Sequence, residues 1–77
     1  MEIKVLGGGC KSCEKLLKNA KQAVSELGID TEVKYITDME LIMQAGIMST
    51  PALIVDGAIR STGRVPKTKE IKKLLEG

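Results

Sequence analysis

The feature that most restricts the fold is an amphipathic segment that lies between two short segments of alternating polarity. Over residues 11–27 the apolar side chains recur at intervals of three and four, the period of one face of an α-helix. Residues 2–6 and 31–36 alternate polar with apolar side chains and are rich in β-branched types, as half-buried strands are. Two strands joined by a helix favour a right-handed parallel crossover. The first half of the chain is therefore predicted to be a β-α-β unit.

A short second helix is expected after the second strand. Thr37 and Glu40 have the spacing of a capping box, in which the Thr37 hydroxyl accepts a hydrogen bond from the Glu40 backbone N–H. The helix is expected to run to about Ala45, because Gly46 is suited to a helix end. The pattern thus predicts Thr37 as the N-cap of this helix.

The last third of the chain predicts a β-hairpin and a third helix. Asp56-Gly57 separates the runs 52–55 and 58–62, and Asp-Gly between such runs is a strong hairpin signal. Residues 67–75 return to helical spacing, and we place the N-cap of this helix at Thr68. The predicted fold class is therefore α/β, with the element order β-α-β-α-β-β-α.

The size and charge of the chain limit its domain number and its partners. With 43% hydrophobic residues and one tyrosine as the only aromatic, the chain fits a single domain over residues 1–77 with an aliphatic core. A formal net charge of +2 gives no electrostatic case for a nucleic acid or an anionic membrane as partner. The longest apolar run, residues 52–55, is far shorter than the roughly 20 residues of a transmembrane helix. We therefore expect a cytoplasmic monomer without nucleic-acid or membrane partners.

Both cysteines lie in the segment GGGCKSC, residues 7–13, between the first strand and the first helix. In a reducing compartment such a pair is more often catalytic or metal-binding than a permanent cross-link. Helical spacing of three residues brings the two Cα atoms to roughly 5 to 6 Å, which a disulfide accepts. A disulfide that closes so small a loop would add little stability. A role as two small core side chains suits Cys13 but not Cys10, which follows three glycines.

The start of the first helix predicts different roles for the two thiols. Unpaired backbone N–H groups and the helix dipole favour the thiolate, which is the form that attacks a disulfide. Cys10, at the N-cap or before it, is the candidate nucleophile, and Cys13, one turn later, is the candidate resolving thiol. Lys11 through its charge and Ser12 through a hydrogen bond are candidates for lowering the pKa of Cys10. The alternative for both is an ordinary solvated side chain.

The chain resembles the thioredoxin-like family, and specifically its small glutaredoxin-like proteins, over essentially its whole length. The resemblance rests on the CKSC turn after the first strand, on Thr50-Pro51 before the third, and on the element order. It implies a four-stranded mixed sheet of order 2-1-3-4 with three helices. By the same resemblance Cys10 attacks and Cys13 resolves, while Pro51 is cis and faces the pair. Thr50 would pair with the backbone of a substrate, and Gly63 would keep the rim of the groove open.

The resemblance and the thiol chemistry together predict a thiol–disulfide oxidoreductase that uses no cofactor. Its partners would be a disulfide-bearing protein substrate and a separate reducing system. Two features differ from thioredoxins: Ser12 stands where they carry a proline, and Lys4 lies in the strand where they have a buried carboxylate. The sequence therefore leaves the proton acceptor of Cys13 unassigned.

An alternative from another class is a carrier that holds a soft metal such as Cu(I) with the same two thiolates. GGGCKSC also resembles the metal-binding loop of heavy-metal-associated domains, but those domains end on a strand and this chain is predicted to end on a helix. A zinc site would need two more ligands, and the chain has no histidine. Met39, Met43 and Met48 are soft donors too, although methionines at helical spacing more often fill a core. We expect these methionines in the core and no metal site.

Overall fold

Seven elements follow one another in the predicted order in a computed structural model that describes residues 1–76. Gly77, the last residue of the predicted domain, lies outside the described residues. The strands are β1 (Ile3–Leu6), β2 (Val33–Ile36), β3 (Ala52–Val55) and β4 (Ala58–Thr62), and the helices are α1 (Lys11–Leu27), α2 (Met39–Gln44) and α3 (Thr68–Glu76). None of these helices combines the length and the apolar character needed to cross a bilayer.

The four strands form one mixed sheet of order β2-β1-β3-β4. β1 runs parallel to β2 and antiparallel to β3, with Leu6 opposite both Ile36 and Ala52. β3 and β4 form the predicted hairpin, in which Asp56 and Gly57 have φ angles of 50° and 80°. Positive φ at both central residues is the requirement of a type I′ turn. The predicted fold class and strand order are therefore confirmed.

β2 is two residues shorter at its start than the alternating pattern predicted. The Thr31 backbone N–H donates to the Ile29 carbonyl at 3.0 Å, so Thr31 lies in a turn. Its hydroxyl donates to the Met1 carbonyl at 2.6 Å, which attaches this turn to the start of the chain. Strand pairing with β1 therefore begins only at Val33.

The sheet separates two aliphatic clusters, because successive strand residues point to opposite faces. Val5 and Leu53 face α1 and α3, whereas Leu6 and Ile54 face α2. The larger cluster, on the side of α1 and α3, contains Ile3, Val5, Leu16, Ala20, Ala23, Val24, Leu53, Val55, Ile71 and Leu75. The smaller cluster contains Leu6, Ile42, Ile47, Ala52 and Ile54. The predicted aliphatic core is thus divided into two layers.

α1 begins and ends at residues with specific backbone conformations. Cys10 is its N-cap, and the Glu14 N–H donates to the Cys10 carbonyl at 3.0 Å in the first helical bond. At the other end Gly28 has a φ of 68°, a conformation that favours glycine. The Ile29 N–H then donates to the Val24 carbonyl at 3.1 Å, which is the long bond of a Schellman motif. The predicted bounds of this helix are confirmed.

The two N-caps predicted for the later helices are each wrong by one residue. Asp38, and not Thr37, caps α2, since its carboxylate accepts a hydrogen bond from the Glu40 N–H at 2.9 Å. A carboxylate at this position also interacts favourably with the helix dipole. Thr68 lies inside the first turn of α3, because the Lys67 carbonyl already accepts the first helical bond at 3.0 Å.

The three methionines predicted in the core are exposed. Met39, Met43 and Met48 have exposed fractions of 56%, 72% and 98%. α2 has only six residues and buries Ile42 alone. Ile42 and Ile47 fill the smaller cluster beneath this helix, so the methionines lie on its outer side. Met39 and Met43 do lie in a helix and Met48 lies after it, but the buried positions of the segment belong to Ile42 and Ile47.

The corrected N-cap of α2 can be tested by comparing two substitutions. Asp38→Ala removes the carboxylate that accepts from Glu40 and should lower the free energy of unfolding by about 1 kcal/mol. Thr37→Ala is the matched control and should change it by less than about 0.5 kcal/mol, because Thr37 is an exposed residue outside the cap. Urea unfolding followed by circular dichroism measures both. A larger loss for Thr37→Ala than for Asp38→Ala would restore the capping-box interpretation.

Candidate active site

The two thiols lie at the N-terminus of α1, directly after the glycines that follow β1. Cys10 has an extended backbone, and its Sγ accepts a hydrogen bond from the Cys13 backbone N–H at 3.3 Å. Cys10 is exposed and Cys13 is buried, and both are free thiols. A reagent from solution therefore meets Cys10 first, while Cys13 lies beneath it within the first turn of the helix.

The surroundings shift the pKa values of the two thiols in opposite directions. The pKa of Cys10 is lowered, first by a hydrogen bond from the Cys13 side chain and then by the Cys13 backbone N–H. The pKa of Cys13 is raised, first by burial and then by its hydrogen bond to Cys10. Since the two thiols interact directly, they titrate as a pair. The first proton to leave therefore leaves the negative charge on the exposed sulfur.

The three glycines before Cys10 have different surroundings. A Cβ added to Gly7 would overlap the Cys13 Sγ, so the absence of a side chain makes room for the buried sulfur. Gly9 has a φ of 83°, which favours glycine. A Cβ on Gly8 would meet nothing within 4 Å. Gly9 therefore supplies turn geometry, whereas Gly7 has a steric role.

Thr50, Pro51 and Gly63 lie at the edge of the sheet that also carries the thiols. Leu6 at the end of β1 pairs with Ala52 at the start of β3, so the segments attached to these two residues meet at one edge. The Thr50–Pro51 peptide bond is cis, Thr50 is exposed and Pro51 is buried. The Gly63 N–H donates to the Pro51 carbonyl at 3.0 Å and joins the two loops.

Gly63 itself lies close to the loop before Pro51. It has a φ of 70°, and a Cβ built on it would approach the Ser49 Cβ to 3.1 Å, closer than most such contacts. A side chain at this position would therefore press on the segment that carries Thr50. Gly63 thus lies against the loop that carries Thr50 and Pro51, and its role at the rim of a groove stays a prediction.

Lys11 and Ser12 are the first two helical residues of α1, and both are exposed. The main causes of the lowered pKa of Cys10 include the Ser12 backbone N–H and not the Lys11 ammonium. Ser12 acts here through its backbone, as any residue at that position of a helix would. An effect of the Lys11 charge on Cys10 stays a prediction.

Beside Thr50 lies an open cavity that the sequence analysis did not predict. Its volume is about 540 Å³, and α2 and the following loop supply most of its lining, including Met39, Met43, Met48 and Thr50. The spacing of Met39 and Met43 already places them on one side of a helix. What the sequence pattern does not show is which side of so short a helix packs on the sheet.

Tyr35 is a second feature that the sequence analysis missed. Its hydroxyl oxygen is buried and has no hydrogen-bond partner among the described residues. The pKa of Tyr35 is raised, first by burial and then by the charges of Cys13 and Cys10. The alternating pattern of the second strand assigns Tyr35 to one face of the sheet, but it does not show what the hydroxyl of this single aromatic residue meets.

The fold and the thiol pair together define a thiol–disulfide oxidoreductase. The family model described as thioredoxin domain matches residues 1–76 of the chain. A thioredoxin of Methanothermobacter thermautotrophicus is 48% identical over 75 residues, which cover 97% of each chain. A thioredoxin of Methanocaldococcus jannaschii is 38% identical over 74 residues, which cover 96% of this chain and 85% of the relative. The chain belongs to the thioredoxin domain family, as its resemblance predicted.

The steric role of Gly7 leads to a test with its neighbour as control. Gly7→Ala places a methyl group against the Cys13 sulfur and should lower the free energy of unfolding of the reduced protein by about 1–3 kcal/mol. Gly8→Ala should leave it unchanged or slightly raised, because open space surrounds that position. Urea unfolding of both variants in the presence of a reductant gives the comparison. Equal stabilities would show that the space at Gly7 is not needed.

The hydrogen bond from the Cys13 side chain is the first cause of the lowered pKa of Cys10, and substitution of Cys13 tests it. Cys13→Ala removes the thiol that donates to Cys10, so the pKa of Cys10 should rise and its thiolate fraction at neutral pH should fall. Cys13→Ser keeps a hydroxyl donor and should give a smaller rise. The pH dependence of the alkylation rate of Cys10 by iodoacetamide measures the pKa directly. An unchanged pKa in Cys13→Ala would assign the shift to the backbone alone.

Proposed function

We propose that this protein reduces disulfides in other proteins, with Cys10 as the nucleophile and Cys13 as the resolving thiol. The observation that carries the proposal is the contrast between the two sulfurs. Cys10 is exposed and has a lowered pKa, whereas Cys13 is buried and has a raised one. Attack on a disulfide requires a thiolate that the partner can reach, and Cys10 meets both conditions.

The reaction proceeds in two exchanges. The Cys10 thiolate attacks one sulfur of the substrate disulfide, the S–S bond of the substrate breaks, and its other sulfur leaves as a thiolate that takes up a proton. Cys13 then loses its proton and attacks the Cys10 Sγ, which breaks the mixed disulfide and releases the second substrate sulfur. Two electrons pass from the protein to the substrate, and the protein retains a Cys10–Cys13 disulfide.

The first exchange prepares the second. The hydrogen bond to Cys10 and the charge of Cys10 both raise the pKa of Cys13 in the reduced protein. Both effects end when the Cys10 sulfur enters the mixed disulfide, because that sulfur then carries no charge. The pKa of Cys13 should therefore fall at the step in which Cys13 must attack. Burial, the largest cause of the raised value, persists.

We propose that substrates bind along the loop that contains Thr50 and Pro51. In this interpretation Thr50 pairs with an extended segment of the substrate beside its cysteine, with Pro51 and Gly63 forming the rim. The cavity next to Thr50 takes an apolar side chain of the same segment, which the exposed methionines and the uncharged lining support. Flexible and polarisable methionine side chains adapt to partners of different shape.

A separate reducing system must return the Cys10–Cys13 disulfide to the dithiol after each turnover. Membership of the family implies a reductase in this role as well as disulfide-bearing substrates. We propose a cytoplasmic location, where thiol reductants keep such pairs reduced. One sheet with helices on both faces supports the proposal that residues 1–77 are a single domain.

Two substitutions test the roles of the thiols. Cys10→Ser should lower the rate of insulin disulfide reduction at least about 1,000-fold, as expected when a nucleophile is lost. Cys13→Ser should instead accumulate a covalent adduct between Cys10 and the substrate, since nothing resolves the mixed disulfide. Mass spectrometry of the intact adduct, with and without dithiothreitol, detects it.

A comparison of Cu(I) binding with disulfide reduction separates this function from that of a soft-metal carrier. Among the described residues, no group of three or more His, Cys, Asp and Glu side chains is placed to hold a metal ion. A Cu(I) ion can be held by the two thiolates alone, so the discriminating result is disulfide reduction, which this proposal expects to be readily measured, with Cu(I) titrated in competition with a chelator alongside it. Tight binding of Cu(I) by a protein that does not reduce insulin would replace the oxidoreductase proposal with the carrier.

A further inference from the structure

The Tyr35 hydroxyl is a buried polar group that no part of the proposed reaction has used. Its oxygen is inaccessible to solvent, and its O–H has no hydrogen-bond acceptor among residues 1–76, although the Gly9 backbone N–H acts on the oxygen and works to lower the pKa of the phenol. Leaving a buried donor without an acceptor costs free energy, and in native proteins such a group calls for an explanation. The only other buried side-chain oxygen without a partner in this part of the chain belongs to Ser61 in β4.

The register of β1 and β2 places Tyr35 on the same face of the sheet as the buried thiol. Tyr35 pairs with Val5, and both side chains pack in the cluster beneath α1. Gly7 follows Val5 by two residues and so faces the same side. The Cys13 Sγ occupies the space in which a side chain of Gly7 would lie. The phenol and the resolving sulfur therefore lie over adjacent strands, on one side of the sheet.

The electrostatics of the site agree with this placement. After burial, the charges of Cys13 and then Cys10 are the next causes that raise the pKa of the phenol, and Glu14 of α1 adds a smaller contribution. Tyr35 therefore stays protonated when either thiol ionises. A neutral phenol offers one O–H donor, and a Cys13 thiolate, on which the backbone N–H groups of Cys10 and Gly8 already act, can accept a further hydrogen bond.

The other buried side chains of the described residues do not fill the role of a hydrogen-bond donor to a Cys13 thiolate. Among residues 1–76, every side chain in the buried core is hydrophobic, and no charged residue is buried. Lys4 lies in β1 where the resemblance to thioredoxins would place a buried carboxylate, but as the neighbour of Val5 it faces the other side of the sheet and pairs with Glu2 at 3.0 Å. Ser61 is separated from β1 by β3.

We propose that the Tyr35 hydroxyl donates a hydrogen bond to the Cys13 sulfur whenever that sulfur becomes a thiolate. This rests on the proposed role of Cys13 as the resolving thiol. Such a thiolate forms before Cys13 attacks the mixed disulfide, and again when an incoming thiolate attacks Cys10 in the oxidised protein and Cys13 is the leaving group. Tyr35 supplies a hydrogen bond and keeps its proton, so the proton itself is exchanged with solvent.

Tyr35→Phe tests the proposal, because it removes the hydroxyl and retains the packed ring. In a Cys10→Ser background, where Cys13 titrates alone, the substitution should raise the pKa of Cys13 and lower its thiolate fraction at neutral pH about tenfold, as expected for a hydrogen bond to a charged group. With Cys10 intact, the release of substrate from a preformed mixed disulfide should slow by about threefold, because a thiolate of higher pKa is also the better nucleophile. Thiolate absorbance and rapid mixing measure the two effects.

Ser61→Ala is the matched control, since it removes the other unpartnered buried hydroxyl. Both substitutions should leave the free energy of unfolding unchanged or raised, and only Tyr35→Phe should alter Cys13. A Cys13 pKa and a release rate within twofold of the parent values would overturn the proposal, and so would a loss of stability confined to Tyr35→Phe. The titration in the Cys10→Ser background does not require disulfide reductase activity, so its outcome is distinct from failure of the proposed function.

Discussion

The packing of the apolar stripe of α1 on β1 is the contact on which the rest of the site depends. This packing buries Cys13, and it leaves Cys10, the N-cap of the same helix, at the surface. The difference between the two thiols is therefore a property of where one helix lies on one strand. Because Gly7 has no side chain, the Cys13 sulfur can lie close to the backbone at the end of β1. Exposure, the directions of the two pKa shifts and the proposed order of reaction all follow from this arrangement.

Much of the fold could be predicted because its signals are local. The bounds of α1 follow from a long amphipathic period that ends at a glycine, and the hairpin from Asp56-Gly57 between two strand-like runs. The positions of Cys10 and Cys13 in the first turn follow from those bounds. In each case the residue that decides the structure lies within a few positions of the element that it defines. One sequence is therefore enough to predict these elements.

The rest could not be predicted because it depends on contacts between distant segments. α2 is too short for its period to show which side packs, so Met39 and Met43 were assigned to a core that Ile42 and Ile47 fill. The steric role of Gly7 requires the position of the Cys13 sulfur, which belongs to another element. Likewise, a single tyrosine in a strand gives no sign that its hydroxyl lies near two thiols. These features require the pairing of β1 with β2 and the position of α1 above them.

The site handles negative charge with neutral donors, which suits a chain of this size. A small domain buries little surface and has a thin margin of stability. A buried carboxylate would cost several kcal/mol of desolvation unless it were paired, and the described core contains no charged side chain. Backbone N–H groups, a thiol and a phenol are cheaper to bury, and each stabilises a thiolate only when one forms. In the proposed reaction, the charge can then move from Cys10 to Cys13 without a fixed charge in the core.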